Sequence, residues 1–341
     1  MLVYKYRGGS NEIFKRDLEA IEKNYFWSSN YESLNDPLET TINSDGFFKQ
    51  SNSLLWFLNK KQKDNLSSVN NAFDDFLTRC NNVGIYSLSK SYLDELLWAH
   101  YADSHKGFCI EYDLDLLTNN YVLEKKYSFP VIYSSELPQI NFNDLRLRSE
   151  ELIQKKLGCK SKRWEYEKEH RIITDNFGTH NYDYNAVKSI YFGLKMDELH
   201  KIEIKKRLKG RKIKYYQIIK VEKAYGFKAI LLEDNNNSED TYMKQISEEI
   251  TNSTLVNYNI LEKYYNKSTG KADIKIEIES PISENVIKKL AKLFSEHLFQ
   301  NADRTYIFYY LKSQDKYMIA WATSHILDGE IKVNIDDYPL K

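Results

Sequence analysis

The sequence has no net charge, because its 49 Lys and Arg residues are matched by 49 Asp and Glu residues over 341 positions. Proteins that bind nucleic acid or anionic membranes through a general electrostatic field carry an excess of basic residues, which this chain lacks. It also lacks any apolar run near the ~20 residues that cross a bilayer. Residues 1–7 do not resemble a signal peptide. We therefore expect a cytoplasmic protein with no membrane partner and no nucleic-acid partner indicated by its charge.

Cysteine is scarce as well, and the chain contains Cys80, Cys109 and Cys159. Their odd number and wide spacing fit neither a disulfide framework nor a zinc-binding pattern. Free thiols are typical of a reducing compartment, so this scarcity agrees with the cytoplasmic prediction. The cysteine spacing gives no reason to expect a bound metal.

Arginine is the third shortage, since only 10 of the 49 basic residues are Arg. Where Lys is the default basic residue, an Arg in a chemically suggestive context is more informative. The residues that are abundant, 42% hydrophobic and 14% aromatic, exclude a wholly disordered protein. The length suggests two domains, at roughly 100–200 residues per domain.

Hydrophobic periodicity predicts an α+β protein in two units. We expect a mixed-sheet domain over residues 1–232, a linker over 233–254 that opens with eight polar residues, and a small α+β module over 255–341. The larger domain has predicted strands at 2–7, 25–27, 83–89, 107–112, 129–133, 170–174, 187–193, 213–219 and 228–232. Its predicted helices lie at 11–24, 51–80, 93–100 (capped by Ser91), 145–160 and 196–208.

The smaller unit is predicted to follow a helix at 242–265. Its own elements have the predicted order β-α-β-β-β, with strands at 273–279, 305–311, 317–323 and 331–335 and a helix at 286–299. Residues 321–325 are similar to a small Trp-Ala-Thr-x-His accessory module. We expect this unit to dock a protein partner or to stabilise the chain.

Four stretches combine polar and aromatic residues beyond what a hydrophobic core requires. They are Tyr4-Lys5-Tyr6-Arg7, the stretch from Trp27 to Asn35-Asp36-Pro37-Leu38-Glu39, Ser87-Leu88-Ser89 with the following Trp98 to Phe108, and Trp164 to Arg171. In this order they resemble the DUF2971 family. Its pattern has an opening Tyr-Lys-Tyr-Arg, an Asn-Asp-Pro turn with a following acidic residue, a Ser-rich strand, Trp-x-His-Tyr-x-x-x-His-x-Gly-Phe and Trp-x-Tyr-Glu-x-Glu-x-Arg. The resemblance covers about residues 1–200, and His170 stands where an aromatic residue is more usual.

The order of these elements also resembles that of ADP-ribosyltransferase-like proteins, which use NAD. In those proteins an Arg or His on an early strand orients NAD, and a Ser or Tyr on a middle strand packs the nicotinamide ribose. A Glu at the start of a late strand stabilises an oxocarbenium-like transition state. The resemblance implies that Arg7 anchors the nucleotide, Ser87 lines the pocket and Glu169 is the catalytic carboxylate. Such chemistry would suit a bacterial toxin or phage-defence protein.

The same resemblance implies a pocket for NAD or a related nucleotide. Glu167 is predicted to share a face with Glu169 in an extended segment and to serve the acceptor, which is a protein, a nucleic acid or water. Aromatic residues are usual in the walls of nucleotide pockets, although core packing also uses them. The other predicted binding residues are Tyr6, Trp27, Asn35, Asp36, Ser89, Trp98, His100, Tyr101 and Arg171.

The same residues also fit hypotheses that involve no ADP-ribosyl transfer. Arg7 is also what a strand-end ion pair requires, and the acidic residues near Glu169 are typical of a solvated charged face. The chain is then a non-enzymatic nucleotide-sensing or protein-binding module. A third hypothesis is a metal-dependent hydrolase around His100 and His105, which are five residues apart rather than the four that put two ligands on one helix face. It would need one of three carboxylates, Asp36, Glu39 or Glu111.

Overall fold

The computed structural model describes residues 1–118, 127–266, 268–300, 302–312, 314 and 319–336. The described chain divides into two compact units, the first built from residues 1–118, 127–207 and 213–236 and the second from residues 208–212 and 237–336. Each unit combines helices with a sheet, so the predicted α+β class is confirmed. Within these ranges no helix is both long enough and apolar enough to cross a bilayer.

The first unit alternates helices and strands along the chain. Its helices are α1 (Asn11–Glu22), α2 (Asp45–Leu54), α3 (Lys60–Cys80), α4 (Glu95–Tyr101), α5 (Leu114–Thr118), α6 (Ser149–Leu157) and α7 (Glu198–Arg207). Its strands are β1 (Leu2–Arg7), β2 (Tyr25–Ser28), β3 (Gly84–Ser89), β4 (Phe108–Asp113), β5 (Tyr127–Pro130), β6 (Ile132–Ser134), β7 (Cys159–Ser161), β8 (Glu169–Thr174), β9 (Gly178–Asn181), β10 (Val187–Phe192), β11 (Lys214–Lys220) and β12 (Phe227–Asp234).

Eight of these strands form one sheet in the order β12-β11-β10-β4-β1-β3-β8-β5. Near its centre, β1 pairs with β4 along its whole length, but its pairing with β3 in the described residues consists of Tyr4 opposite Ser89. Beyond that pair the two neighbouring strands no longer form a ladder. The sheet therefore has a gap between β1 and β3, and this gap positions the site described below.

Aromatic packing fixes α4 against the sheet beside this gap. Trp98 is fully buried and lies edge-on to Tyr6, with ring centroids 5.2 Å apart. Its indole N–H donates to the carbonyl of Tyr92 at 2.8 Å, so the one polar atom of the ring is satisfied. This packing holds Tyr101, the last residue of α4, close to β1 and β8.

The start of α4 corrects one prediction. Ser91 is not its cap, because the helix begins at Glu95 and the carboxylate of Asp94 accepts hydrogen bonds from the N–H groups of Leu96 and Leu97 at 3.0 and 3.2 Å. A carboxylate at this position satisfies the free N–H groups of the first turn and also interacts favourably with the helix dipole.

Two other boundaries differ from the predictions because short strands pair there. The helix predicted at 145–160 ends at Leu157, since β7 pairs in parallel with β6. The strand predicted at 129–133 is divided into β5 and β6 after Pro130. β5 lies at the edge of the large sheet, where a residue without an N–H is tolerated.

The second unit has its own five-stranded sheet. Its elements are α8 (Tyr242–Thr254), β13 (Tyr258–Asn266), β14 (Lys271–Ile278), α9 (Glu284–Leu298), β15 (Arg304–Leu311), β16 (Ala322–Leu327) and β17 (Glu330–Ile335), with sheet order β13-β14-β15-β16-β17. The alternate residues Ala272, Ile274, Ile276 and Ile278 of β14 are buried. This period of two is the pattern that predicted the strand.

Two predictions for the second unit need correction. Most of the predicted linker 233–254 is structured, since β12 extends to Asp234 and α8 buries one of its faces. The helix predicted at 242–265 ends at Thr254, because residues 258–266 pair antiparallel with β14. The strand predicted at 317–323 lies partly outside the described residues. The resemblance of residues 321–325 to an accessory module stays a prediction.

Gly107 lies where the chain entering β4 passes closest to the end of β1. A Cβ there would be 1.8 Å from the carbonyl oxygen of Arg7 and 2.9 Å from its carbonyl carbon. Because the obstacle is backbone, a shifted side chain cannot relieve the overlap. We expect Gly107→Ala to lower the free energy of unfolding by about 3 kcal/mol, measured by urea denaturation.

A neighbouring glycine is the matched control. At Gly8 the nearest atom to an added Cβ is a methyl group of Ile13 at 3.1 Å, which can move by a few tenths of an ångström. Gly8→Ala should therefore cost less than about 1 kcal/mol. Equal losses at the two positions would contradict the steric origin of the effect.

Candidate active site

A cavity of about 620 Å³ opens at the gap between β1 and β3. Both strands line it, together with side chains from α1, β2, α4, β7 and the start of β8. Its volume lies within the ~300–1,000 Å³ typical of small-molecule sites. The wall is formed by Tyr4, Lys5, Tyr6, Arg7, Arg16, Asp17, Ala20, Tyr25, Trp27, Ser29, Ser33, Leu34, Asn35, Glu39, Ile85, Tyr86, Ser87, Leu88, Ser89, Leu97, Tyr101, Lys160, Glu167, Glu169 and Thr179.

One wall of the cavity is an acidic cluster around a buried lysine. The Nζ atom of Lys160 lies 2.9 Å from Oε1 of Glu39, 2.6 Å from Oε2 of Glu167 and 3.1 Å from Oε2 of Glu169. All four side chains are buried. Charges are removed from water only where partners compensate them, so this lysine is what allows three carboxylates to converge.

Arg171 is the second cation of the same cluster. It is fully buried and binds Glu169 through Nε at 2.7 Å, Glu39 through Nη2, and the carbonyl of Leu157 through Nη1 at 2.6 Å. With every group ionised, the cluster carries three negative and two positive charges. The wall therefore has an excess of one negative charge.

The pKa values of the two carboxylates that flank Lys168 are shifted in opposite directions. Burial alone would raise the pKa of Glu169, but Arg171 and Lys160 outweigh it and lower the pKa to about 2. Burial raises the pKa of Glu167, and Lys160 compensates only in part. Glu167 also accepts a hydrogen bond from the hydroxyl of Tyr101 at 2.5 Å. Glu169 is thus a fixed negative charge, and Glu167 is the better proton acceptor.

Another part of the cavity wall carries basic groups. Arg7 donates from Nη2 to the hydroxyl of Tyr86 at 3.3 Å and lies 3.6 Å from Oδ1 of Asp17. Arg16 binds the same Oδ1 through Nη2 at 2.8 Å. Two buried atoms here have no hydrogen-bond partner in the described structure, Nε of Arg7 and Oδ2 of Asp17. Such atoms are rare in proteins, where buried polar groups are nearly always paired.

Lys5 lies on β1 between the acidic and the basic walls. Its Nζ atom donates to the carbonyl of Ser87 at 2.7 Å and lies 4.8 Å from the centre of the Tyr86 ring. The amine thus occupies the gap where β3 lacks its ladder partner. Burial and the positive charge of Arg7 lower the pKa of Lys5 to about 7.

The structure brings together nine of the residues predicted for the site. The predicted catalytic residues Arg7, Ser87 and Glu169 all line the cavity. Six predicted binding residues line the same cavity: Tyr6, Trp27, Asn35, Ser89, Tyr101 and Glu167. Trp27 leaves 57% of its surface exposed, so its ring is accessible to a ligand.

Four predicted binding residues do not lie on the described wall. Trp98 packs in the core, and Arg171 lies beneath the carboxylates as their counter-ion. Asp36 is buried and holds its own turn by accepting from the N–H of Leu38 at 2.9 Å. The ring of His100 lies on the exposed side of α4, 6.4 Å from the ring of Tyr166.

The spacing of the two acidic residues also differs from the prediction. Glu167 and Glu169 are not in one extended segment, because Glu167 ends a short 3₁₀ helix and Lys168 has a φ of +45°. This left-handed residue turns the chain before β8 starts. The two carboxylates nevertheless meet at Lys160.

The metal hypothesis gains no support from these positions. His105 lies in a turn with a φ of +72°, and its ring contacts that of Phe227 with centroids 5.3 Å apart. In the part of the chain that the structure describes, no group of three His, Cys, Asp or Glu side chains is arranged to hold a metal ion.

Sequence reasoning missed four charged residues of the cavity. Lys5 could have been identified, since it belongs to the Tyr4–Arg7 stretch. Arg16 and Asp17 lie on an ordinary amphipathic helix, and Lys160 follows a helix with many other lysines. Only their tertiary partners distinguish the last three from surface residues.

Comparison with known proteins supports the family resemblance in part. Residues 97–172, from α4 to β8, match the sequence model of a family described as "Protein of unknown function (DUF2971)". This part of the chain supplies Tyr101, Lys160, Glu167 and Glu169 to the cavity. No curated protein and no solved structure matches the chain.

The buried ion pairs give a stability prediction. Arg171→Met removes one of the two cations and leaves Glu39 and Glu169 partly uncompensated. Breaking a buried pair in this way typically costs about 3–5 kcal/mol, which we expect for the free energy of unfolding in urea. The control is Arg148→Met, because Arg148 makes an exposed ion pair with Glu151 at 3.0 Å. An unchanged unfolding midpoint in Arg171→Met would show that the cluster does not stabilise the fold.

The environment of Lys5 predicts unusual reactivity. A lowered pKa means that its amine is neutral, and therefore nucleophilic, above about pH 7. Competitive acetylation followed by peptide mass spectrometry should show half-maximal labelling of Lys5 near that pH. The exposed Lys23, whose ion pair with Glu19 raises its pKa, should titrate roughly three pH units higher or more. Coincident labelling curves for the two lysines would refute the prediction.

Proposed function

We propose that the protein is an ADP-ribosyltransferase-like enzyme that binds NAD or a related dinucleotide in the cavity between β1 and β3. One observation carries the proposal: Arg7, Ser87 and Glu169 reach a single cavity from three neighbouring strands. They are far apart in the sequence, so their convergence does not follow from chain proximity. It is the arrangement that the resemblance to ADP-ribosyltransferase-like proteins implies.

The charges of the two walls support a dinucleotide. Arg7 and Arg16 face the cavity with Asp17 as the one carboxylate beside them, which suits a diphosphate group. The wall around Lys160 has an excess negative charge, which suits a cationic group. NAD carries both kinds of charge, with its diphosphate joined to a ribose that bears a cationic ring.

The free polar atoms of the cavity also fit such a ligand. Nε of Arg7 is a donor without a partner, and Oδ2 of Asp17 is an acceptor without one. Trp27 and Tyr25 supply aromatic surface on β2, against which a base can stack. The cavity thus offers groups for a phosphate, a sugar and a base.

Glu169 has the properties that cleavage of a glycosidic bond requires. NAD supplies a ribose whose bond to a cationic nicotinamide breaks with positive charge developing on the sugar. A preorganised carboxylate stabilises such charge. Arg171 and Lys160 hold Glu169 ionised and in place, so the residue needs no rearrangement during the reaction.

Glu167 is suited to the acceptor. Its carboxylate is the more basic of the two and already holds a hydrogen bond from Tyr101. It can take the proton that an attacking hydroxyl group or water must lose. The two acidic residues therefore divide the work: Glu169 stabilises charge and Glu167 moves a proton.

The proposal is tested by incubating the full chain with NAD labelled in its adenylate part. We expect release of nicotinamide, with or without transfer of label to an added protein or nucleic acid. Glu169→Gln should lower the rate by about 10²–10³-fold, because it removes the charge that stabilises the transition state.

Glu165→Gln is the matched control, since Glu165 is exposed in the same stretch and does not line the cavity. It should retain the wild-type rate. Binding of NAD without nicotinamide release would favour the non-enzymatic alternative. Equal rates in wild type and Glu169→Gln would refute the assigned role of Glu169.

A further inference from the structure

The function proposed above does not say which part of the ligand the pair formed by Asp17 and Arg7 contacts. Asp17 is 3% exposed, yet it lines the cavity. Arg7 and Arg16 both form ion pairs with its Oδ1 atom, while Oδ2 is buried and has no hydrogen-bond partner in the described structure. Beside it, Nε of Arg7 is a buried donor without a partner. A hydrogen-bond acceptor and a hydrogen-bond donor, both without partners, therefore belong to neighbouring side chains.

These atoms lie at a distance from the acidic wall. Tyr4 pairs with Ser89, which pairs with Glu169, and Arg7 is three residues further along β1. At ~3.3 Å per residue and ~4.8 Å between strands, the backbone of Arg7 is roughly 14 Å from that of Glu169. A dinucleotide that places one ribose at Glu169 can therefore place its other ribose near Asp17.

The surroundings of Asp17 agree with that placement. Tyr25 on β2 lines the same cavity as Arg16 and Asp17. Trp27 follows on the same strand with most of its surface exposed. Aromatic surface next to a carboxylate is what a nucleoside needs, because its base stacks and its sugar donates hydrogen bonds.

We infer that Asp17 and Arg7 recognise the hydroxyl groups of the adenosine ribose and thereby restrict the site to dinucleotides that lack a 2′-phosphate. A sugar hydroxyl both donates and accepts, so it can satisfy Oδ2 of Asp17 and Nε of Arg7 together. A phosphate in its place would bring two negative charges against Oδ2 of Asp17, the carboxylate oxygen that neither Arg7 nor Arg16 contacts. This inference rests on the proposed function and specifies its substrate class.

The test compares ADP-ribose with 2′-phospho-ADP-ribose by isothermal titration calorimetry on the full chain. These ligands carry no nicotinamide, so the readout is affinity and does not depend on turnover. The wild type should bind ADP-ribose at least about tenfold more tightly. In Asp17→Asn the preference should vanish, because the charge that repels the phosphate is gone while the shape is kept.

Asp115→Asn is the matched control, since the Asp115 side chain is 84% exposed, and it should keep the preference. The wild-type comparison needs no variant, so poor folding of Asp17→Asn would leave the test intact. Equal affinities for both ligands in the wild type would overturn the inference and leave nucleotide binding standing. An unchanged preference in folded Asp17→Asn would overturn it as well. Absence of binding by both ligands would overturn the inference and the proposed function together.

Discussion

The site depends on one constraint: three carboxylates meet inside the protein, and two cations make this possible. Without Lys160 and Arg171, Glu39, Glu167 and Glu169 would repel one another and take up protons instead of staying charged. Each cation binds carboxylates that come from different elements. The cluster therefore ties the loop before α2 and strand β7 to the beginning of β8. The contacts that join these elements are also the contacts that keep Glu169 ionised.

The cavity itself arises from the path of the strands. β1 pairs with β4 along its whole length but with β3 at one residue pair. Backbone groups on the β3 side of β1 are therefore unpaired inside the sheet, where most strands have a partner on both sides. Lys5 satisfies one of the carbonyl groups exposed in this way. A gap of this kind places side chains from both strands around one space. This explains how residues with opposite orientations on β1, such as Tyr6 and Arg7, line the same cavity.

Much of the fold was predictable from the sequence, and the reasons are local. Strand β14 has strict alternation and β1 alternates from Tyr4 onward, and the predicted positions of both agree closely with those observed. Failures occurred where tertiary pairing decides the structure. Residues 258–266 have no strong strand signal of their own, but β14 offers them an edge.

The site was predictable to a similar extent and for different reasons. The order of Arg7, Ser87 and Glu169 along the chain sufficed to propose one pocket, because neighbouring strands bring such residues together. The role of Arg171 was beyond reach, since strand β8 is buried on both faces and alternation cannot show which face meets the cavity. Lys160 could not be recognised from the sequence, because many lysines surround it. Only its contacts with three carboxylates distinguish it.

Lys168 gives the site a further property, which concerns its tolerance of sequence change. Its backbone is left-handed, a conformation that glycine and asparagine adopt readily and β-branched residues avoid. Its side chain is exposed and makes no contribution to the cavity. Position 168 therefore needs no particular side-chain group, but it needs a residue that adopts the left-handed conformation. Its two acidic neighbours, in contrast, need their carboxylates. A valine at this position would leave every cavity group in the sequence and still strain the turn that brings Glu167 and Glu169 together.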